Sequence, residues 1–278
     1  MLRTKLGPLF AARLPFTRAY SRGRLLLLGR RYEQLVVCGY PRGGTSLLYN
    51  MLSATLPNFR FEEFEEPAIY RLHRLGNIAS KYPLDVFNVS RLPDLNVHGK
   101  KLHVIAMLRD PRDVVTSRHP LLPDRYFIGH DNSWWPQDTE FREWKYNAPG
   151  VVDIFDELER LRGQSELHVE FVRYEDLVED SDAVQARLAD RLGLSFGGRF
   201  SDFYKHPGRM AYRYDGRMAP REASLVREDK PADRSRSGKW QGPEHRERIL
   251  EQFRECPRLF ELLRLHGYEN DDGWLARI

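Results

Sequence analysis

Apolar positions along this chain follow two patterns. Leu35-Val36-Val37-Cys38-Gly39 and His103-Val104-Ile105-Ala106-Met107-Leu108 are short apolar runs rich in β-branched residues, as expected of strands buried on both faces of a parallel sheet. Leu167 to Arg173 predicts a further strand. Between these runs the period lengthens. Ser46 to Leu52 is a series of good helix formers. Val151, Ile154, Phe155, Leu158 and Leu161 recur at helical spacing, as do Val184, Leu188 and Leu192 on a helix that Ser181 can cap. Pro243 to Tyr268 reads as two amphipathic helices. Alternating strands and helices predict an α/β fold, a parallel β-sheet with helices on both faces and ligands at the carboxyl ends of its strands. Two stretches show neither period and are expected to be irregular acceptor and lid loops. His119 to Gly150 carries Tyr126, Phe127, Trp134, Trp135, Phe141, Trp144 and Tyr146, and Phe203 to Asp233 carries Arg209, Arg213, Arg217 and Arg221.

At 278 residues and 41% hydrophobic content the chain can bury one large core, so a single domain over 33–278 is the expectation. Its net charge of +4 is unevenly spread. Residues 1–32 hold eight basic side chains and no acid, whereas the remainder has 36 basic against 40 acidic groups. This basic N-terminal extension reads as an Arg-rich targeting peptide, as an arm on an anionic membrane surface, or as a solvated extension. Its one apolar cluster, Leu25 to Leu28, is too short for a secretory signal, and no apolar run of ~18 residues exists to span a membrane. The body is expected to be cytoplasmic, and its slight acidity argues against nucleic acid as a partner. Cys38 and Cys256 are far apart and predict no disulfide; Cys38 is expected to be a small core residue.

Candidate chemistry begins where the first strand ends. Gly39-Tyr40-Pro41-Arg42-Gly43-Gly44-Thr45-Ser46 has the spacing of a nucleotide-binding P-loop, G-x-x-x-x-G-K-[ST], with Thr45 in place of the lysine. Strand, glycine turn and helix start come in the order that lets backbone N–H groups and the helix dipole converge on an anion, with Thr45 and Ser46 as hydroxyl donors. The nearby cation is Arg42. The second strand runs into Arg109-Asp110-Pro111-Arg112-Asp113-Val114-Val115-Thr116-Ser117, where Pro111 suits a first helical turn. An arginine at the strand end, where a Walker B acid would hold magnesium, argues for a second anion and against a metal.

With both motifs in view, the chain resembles the sulfotransferases that use 3′-phosphoadenosine 5′-phosphosulfate (PAPS). The first signature of that family, P-[KR]-[SG]-G-T-[TS], appears as Pro41 to Ser46, and the second, R-[DN]-P-[RK]-D-x-x-x-S, as Arg109 to Ser117. The resemblance implies a P-loop sulfotransferase fold, with Arg42, Gly43, Gly44, Thr45 and Ser46 on the 5′-phosphosulfate and Arg109 and Ser117 on the 3′-phosphate. Tyr174-Glu175-Asp176-Leu177 is similar to the family's Y-E-D-L segment, whose tyrosine lies by the adenine, and Ser235 to Trp240 resembles its late loop, implicating Arg236, Gly238 and Lys239. No metal is required, because a sulfuryl group carries less charge than a γ-phosphoryl group.

The resemblance also implies a catalytic glutamate after the first helix, where Phe61-Glu62-Glu63-Phe64-Glu65-Glu66-Pro67 places four carboxylates in five positions. If the segment is extended, Glu63 and Glu65 share one face and Glu62 and Glu66 the other. Glu66, followed by proline, is the first choice of base and Glu63 the next. His98 has no neighbours that mark it as catalytic and is expected to be a surface or loop residue. Two other readings stand beside sulfuryl transfer to a carbohydrate or other hydroxylated acceptor: a P-loop kinase or NTPase, and a nucleotide-binding protein without catalysis.

Overall fold

The computed structural model describes residues 31–119, 122–138, 143–164, 167–206 and 230–278, with Ala19, Tyr20 and Gly23; within it, 122–124, 134–138 and 143–148 are described by their backbone alone. The basic extension falls almost wholly outside these residues, as do Arg209, Arg213, Arg217 and Arg221 of the expected lid and Phe141 of the acceptor loop.

Among the described residues nine strands follow in order: β1 (Glu33–Gly39), β2 (Arg60–Phe61), β3 (Ile78–Lys81), β4 (Lys101–Leu108), β5 (Arg118–His119), β6 (Leu122–Tyr126), β7 (Asn132–Asp138), β8 (Glu143–Pro149) and β9 (His168–Arg173). Five of them form one parallel sheet in the order β2-β3-β1-β4-β9. The chain leaves β1 to build β3 on one side and returns to build β4 on the other, so the crevice beside the carboxyl end of β1 is a topological switch point, where α/β sheets bind ligands. Register matters here. Gly39 pairs with Met107, so β1 and β4 end side by side and the two anion motifs leave the sheet as neighbours.

Helices cover both faces: α1 (Thr45–Thr55), α2 (Pro111–Val115), α3 (Val151–Arg162), α4 (Tyr174–Glu179), α5 (Ser181–Leu192), α6 (Arg246–Glu255) and α7 (Arg258–Leu265), with a single helical turn at Leu92–Leu95. Because side chains alternate along a strand, β1 and β4 feed two cores. Leu35, Val37, Ile105 and Met107 pack against α1, α4 and α5 through Leu48, Met51, Leu52, Leu177, Leu188 and Leu192. Val36, Cys38, Val104 and Ala106 pack on the other face with Ile154, Phe155 and Leu158 of α3, Ile249 and Phe253 of α6, Leu262 of α7, and Trp240 and Trp274. Cys38 is fully buried, and burial pushes its thiol far above the usual range. It packs in the core as a small apolar side chain.

Two expectations change. His119 to Gly150 contains antiparallel ladders, β5 with β6 and β7 with β8, where the sequence shows no strand period. Register shifts at Ser133/Trp134 and Pro136/Asp138 break the two-residue alternation that would have signalled them. The cap of α5 is Asp180, whose carboxylate accepts from the Ala183 amide at 3.0 Å, and Ser181 is the first helical residue. His98 does lie in a loop turn, where it is buried with Nε2 2.7 Å from the His73 carbonyl.

Candidate active site

The loop after β1 is shaped by steric necessity. Gly39 has φ +125°, and a Cβ there would lie 2.2 Å from the Met107 carbonyl oxygen of the paired strand. Gly44, at φ +91°, is the N-cap of α1, and its Cβ would lie 2.5 Å from the Tyr174 ring. With no capping side chain and no acid in its first turn, α1 presents its amides and dipole to an incoming anion. Between the glycines, the Gly43 amide donates to the Tyr40 carbonyl at 2.9 Å. Pro41 and Arg42 occupy the corners, and Arg42 has φ +65°. That is the pattern of a type II turn, proline second and a left-handed residue third, in which glycine or asparagine normally takes the third place. Among the described residues Arg42 is the one non-glycine at positive φ. Holding an arginine there costs about 1–2 kcal/mol.

The compensating contacts come from the second motif. Arg109, at the end of β4, donates from Nη1 to the Arg42 carbonyl at 2.8 Å and from Nη2 to the Arg236 carbonyl. Its guanidinium lies 4.4 Å from the Tyr174 ring centroid and 3.5 Å from Asp113, and its Nε is buried without a hydrogen-bond partner. Asp113, fully buried on α2, accepts from the amides of Gly238 at 2.8 Å and Trp240 at 3.0 Å. Gly238 takes φ +75° as the cap of the short turn beginning at Lys239, which is exposed, as is Arg236. Ser117, just past α2, has its hydroxyl buried and unpartnered. The structure therefore gathers Arg42, Gly43, Gly44, Arg109, Tyr174, Arg236 and Gly238 around one junction. Tyr174 serves there as the floor under Gly44 and Arg109.

The acidic segment is not an extended strand, since β2 ends at Phe61 and the chain bends at Glu63 and Phe64. Glu62 and Glu66 both turn to Arg71, which meets Glu62 at 3.0 Å and also pairs with Glu66. Glu63 is exposed. Glu65 is the carboxylate linked to the loop, through a lysine that sequence reasoning missed. Lys81 ends β3, is fully buried, and donates to Glu65 Oε1 at 2.5 Å and to the Ser46 hydroxyl at 2.8 Å. Burial holds its pKa down, Glu65 opposes that, and the charge of Arg42 adds to it. His119 behaves alike: burial, then Arg42, push it down to about 4, so at neutral pH it is uncharged. Burial is the main cause of both depressions, and the nearby Arg42 charge adds to it. In the sequence the clue to Lys81 was slight, a lysine closing the short strand Ile78-Ala79-Ser80-Lys81 just ahead of Pro83.

With that geometry in place, the comparison with known proteins is decisive at the level of family. The sulfotransferase domain family model matches residues 32–207, well over half the chain. The protein belongs to the sulfotransferase domain family. Solved structures that the chain matches include the sulfotransferase domain of the Synechococcus olefin synthase, at 16% identity and a TM-score of 0.46 over 76% of this chain and 88% of that one. Mouse sulfotransferase SULT7A1, solved with PAP, matches at 15% identity and 0.47 over 81% and 85%, and the sulfotransferase domain of the curacin biosynthetic pathway at 14% and 0.41 over 77% and 92%. Among curated proteins none matches this sequence. The family match begins one residue ahead of β1 and ends just past the buried Phe203, so the late loop that Asp113 holds in this sulfotransferase lies beyond it.

Proposed function

We propose that this sulfotransferase moves the sulfuryl group of PAPS to a hydroxyl acceptor. The carrying observation is the pair of anion-ready sites at the adjacent ends of β1 and β4, joined by Arg109. The turn around Arg42 with the open amides of α1 suits the 5′-phosphosulfate, and the unpartnered Arg109 Nε and Ser117 hydroxyl suit a 3′-phosphate. Lys81 supports the same reading, since the cation that the loop lacks at position 45 reaches Ser46 from β3.

The acceptor oxygen attacks sulfur as the bond from sulfur to the bridging phosphate oxygen breaks, and 3′,5′-adenosine bisphosphate (PAP) leaves. Arg42 stabilises charge on the departing phosphate by electrostatics and bidentate hydrogen bonding, because a guanidinium does not give up its proton. Thr45, Ser46 and the α1 amides share that charge. Glu65 is the base we favour for the acceptor proton, since Lys81 ties it to Ser46 while Glu66 is committed to Arg71. Phe64 and Tyr70, 49% and 43% exposed in the same segment, give the acceptor side an apolar surface that fits the face of a sugar or another ring.

Thermal-shift and calorimetric titrations of the intact protein with PAP and with ATP plus magnesium test the proposal. PAP is expected to bind and stabilise more strongly. Tighter binding of ATP with magnesium would replace the sulfuryl reading by a kinase or NTPase one, and PAP binding without transfer to any hydroxyl acceptor would leave a nucleotide-binding protein.

A further inference from the structure

The late loop, the second motif and the phosphate loop are joined by one unbroken chain of contacts. Gly238 and Trp240 amides meet the Asp113 carboxylate, Asp113 faces Arg109, and Arg109 holds the carbonyls of both Arg42 and Arg236. The chain ends on the one described non-glycine residue with a left-handed backbone, and that residue is also the proposed cation of the transfer step. Left-handed non-glycine conformations persist where the surroundings over-determine them. Here the surroundings come from elements about 65 to 200 residues away.

We propose that Arg109 and Asp113 are positioning residues for Arg42: together they hold its peptide in the turn that aims its guanidinium, so that occupancy of the 3′-phosphate site is coupled to competence for transfer at the 5′ end. The inference rests on the donor-site reading above and deepens it. A 3′-phosphate drawing on Arg109 and Ser117 would tighten the same guanidinium that supports Arg42. Donors lacking that phosphate would then lose turnover as well as affinity. The assignment replaces a simple division in which Arg42 serves chemistry and Arg109 serves binding.

The test is a double-mutant cycle on the full chain, with kcat and donor KM for transfer from PAPS and calorimetric PAP affinity for wild type, Asp113→Asn, Arg42→Gly and the double variant. Glycine takes a left-handed turn position without support. Asp113→Asn is therefore expected to lower kcat about tenfold at saturating donor in the Arg42 enzyme, and to change it by less than about twofold in the Arg42→Gly background. Equal losses in both backgrounds, or an effect confined to donor KM, would overturn the coupling. Arg109→Lys provides a second route should Asp113→Asn fold poorly. It keeps a cation for the phosphate but cannot fork to two carbonyls, so kcat is expected to fall more than PAP affinity, and an unchanged kcat would again overturn the proposal. A wild-type protein that binds no PAP would sink the donor-site reading and the coupling together, whereas PAP binding with additive losses would sink the coupling alone.

Discussion

Glu65 and Glu66 are adjacent in sequence and answer to different cations, Lys81 and Arg71. Their roles separate accordingly. Glu65→Gln is expected to lower kcat by about 10²–10⁴-fold while PAP affinity, read by calorimetry, stays near wild type. Glu66→Gln is expected to leave kcat within about threefold; the reverse ranking would return the base to Glu66. A second carboxylate acts on stability. Asp85 is fully buried, accepts from the Ala68 amide at 2.8 Å, and is pushed by burial up to about 7. Its folded pKa lies above the unfolded value, so the native state binds the extra proton and stability declines as pH rises from about 4 to about 7. Urea denaturation across that range should show a loss on the order of 2–4 kcal/mol that Asp85→Asn removes. An identical pH slope in the variant would show that the carboxylate does not titrate there.

At the scale of elements, the join between β1 and α1 depends on the ring of Tyr174 of α4 packing against Gly44. Gly44→Ala would set a methyl group into that ring at a positive φ, so the melting temperature is expected to fall and the PAP-induced thermal shift to vanish. Retention of the shift would mean that the ring can move aside. What the sequence disclosed follows from the range of the interactions. β1, α1, β4 and α2 were legible because each is set by a local run of residues, and both phosphate motifs lie at their junctions. The tie from Lys81 to Glu65 and Ser46 was not legible, because three separate segments meet there and none is unusual alone. Asp113 was visible as a motif letter, but its hold on Gly238 and Trp240 spans 125 residues and more. β7 and β8 were hidden for another reason, since shifted registers erase alternation.

Across the whole molecule, the C-terminal segment locks the second motif in place. Arg112 packs against the rings of both Trp240 and Trp274, at 3.8 and 4.8 Å from their centroids, and bonds Asp110 at 2.7 Å and Glu269 at 2.6 Å. Tyr268 donates to Glu175 at 3.1 Å, and Glu175 in turn accepts from the Asp110 amide. Arg112 keeps Asp110 but loses one of its two carboxylates, so Glu269→Ala is expected to cost about 1–3 kcal/mol in denaturant unfolding and to weaken PAP binding as well. A loss of stability with undiminished PAP affinity would separate the C-terminal segment from the donor site. The close pairing of Gly39 with Met107 has a bearing on sequence variation. In a saturation library selected for folded protein, position 39 should return a single letter, because the neighbouring strand occupies the space any other side chain would need. Position 42 should accept several, glycine and asparagine among them, and narrow to arginine only when selection is for turnover.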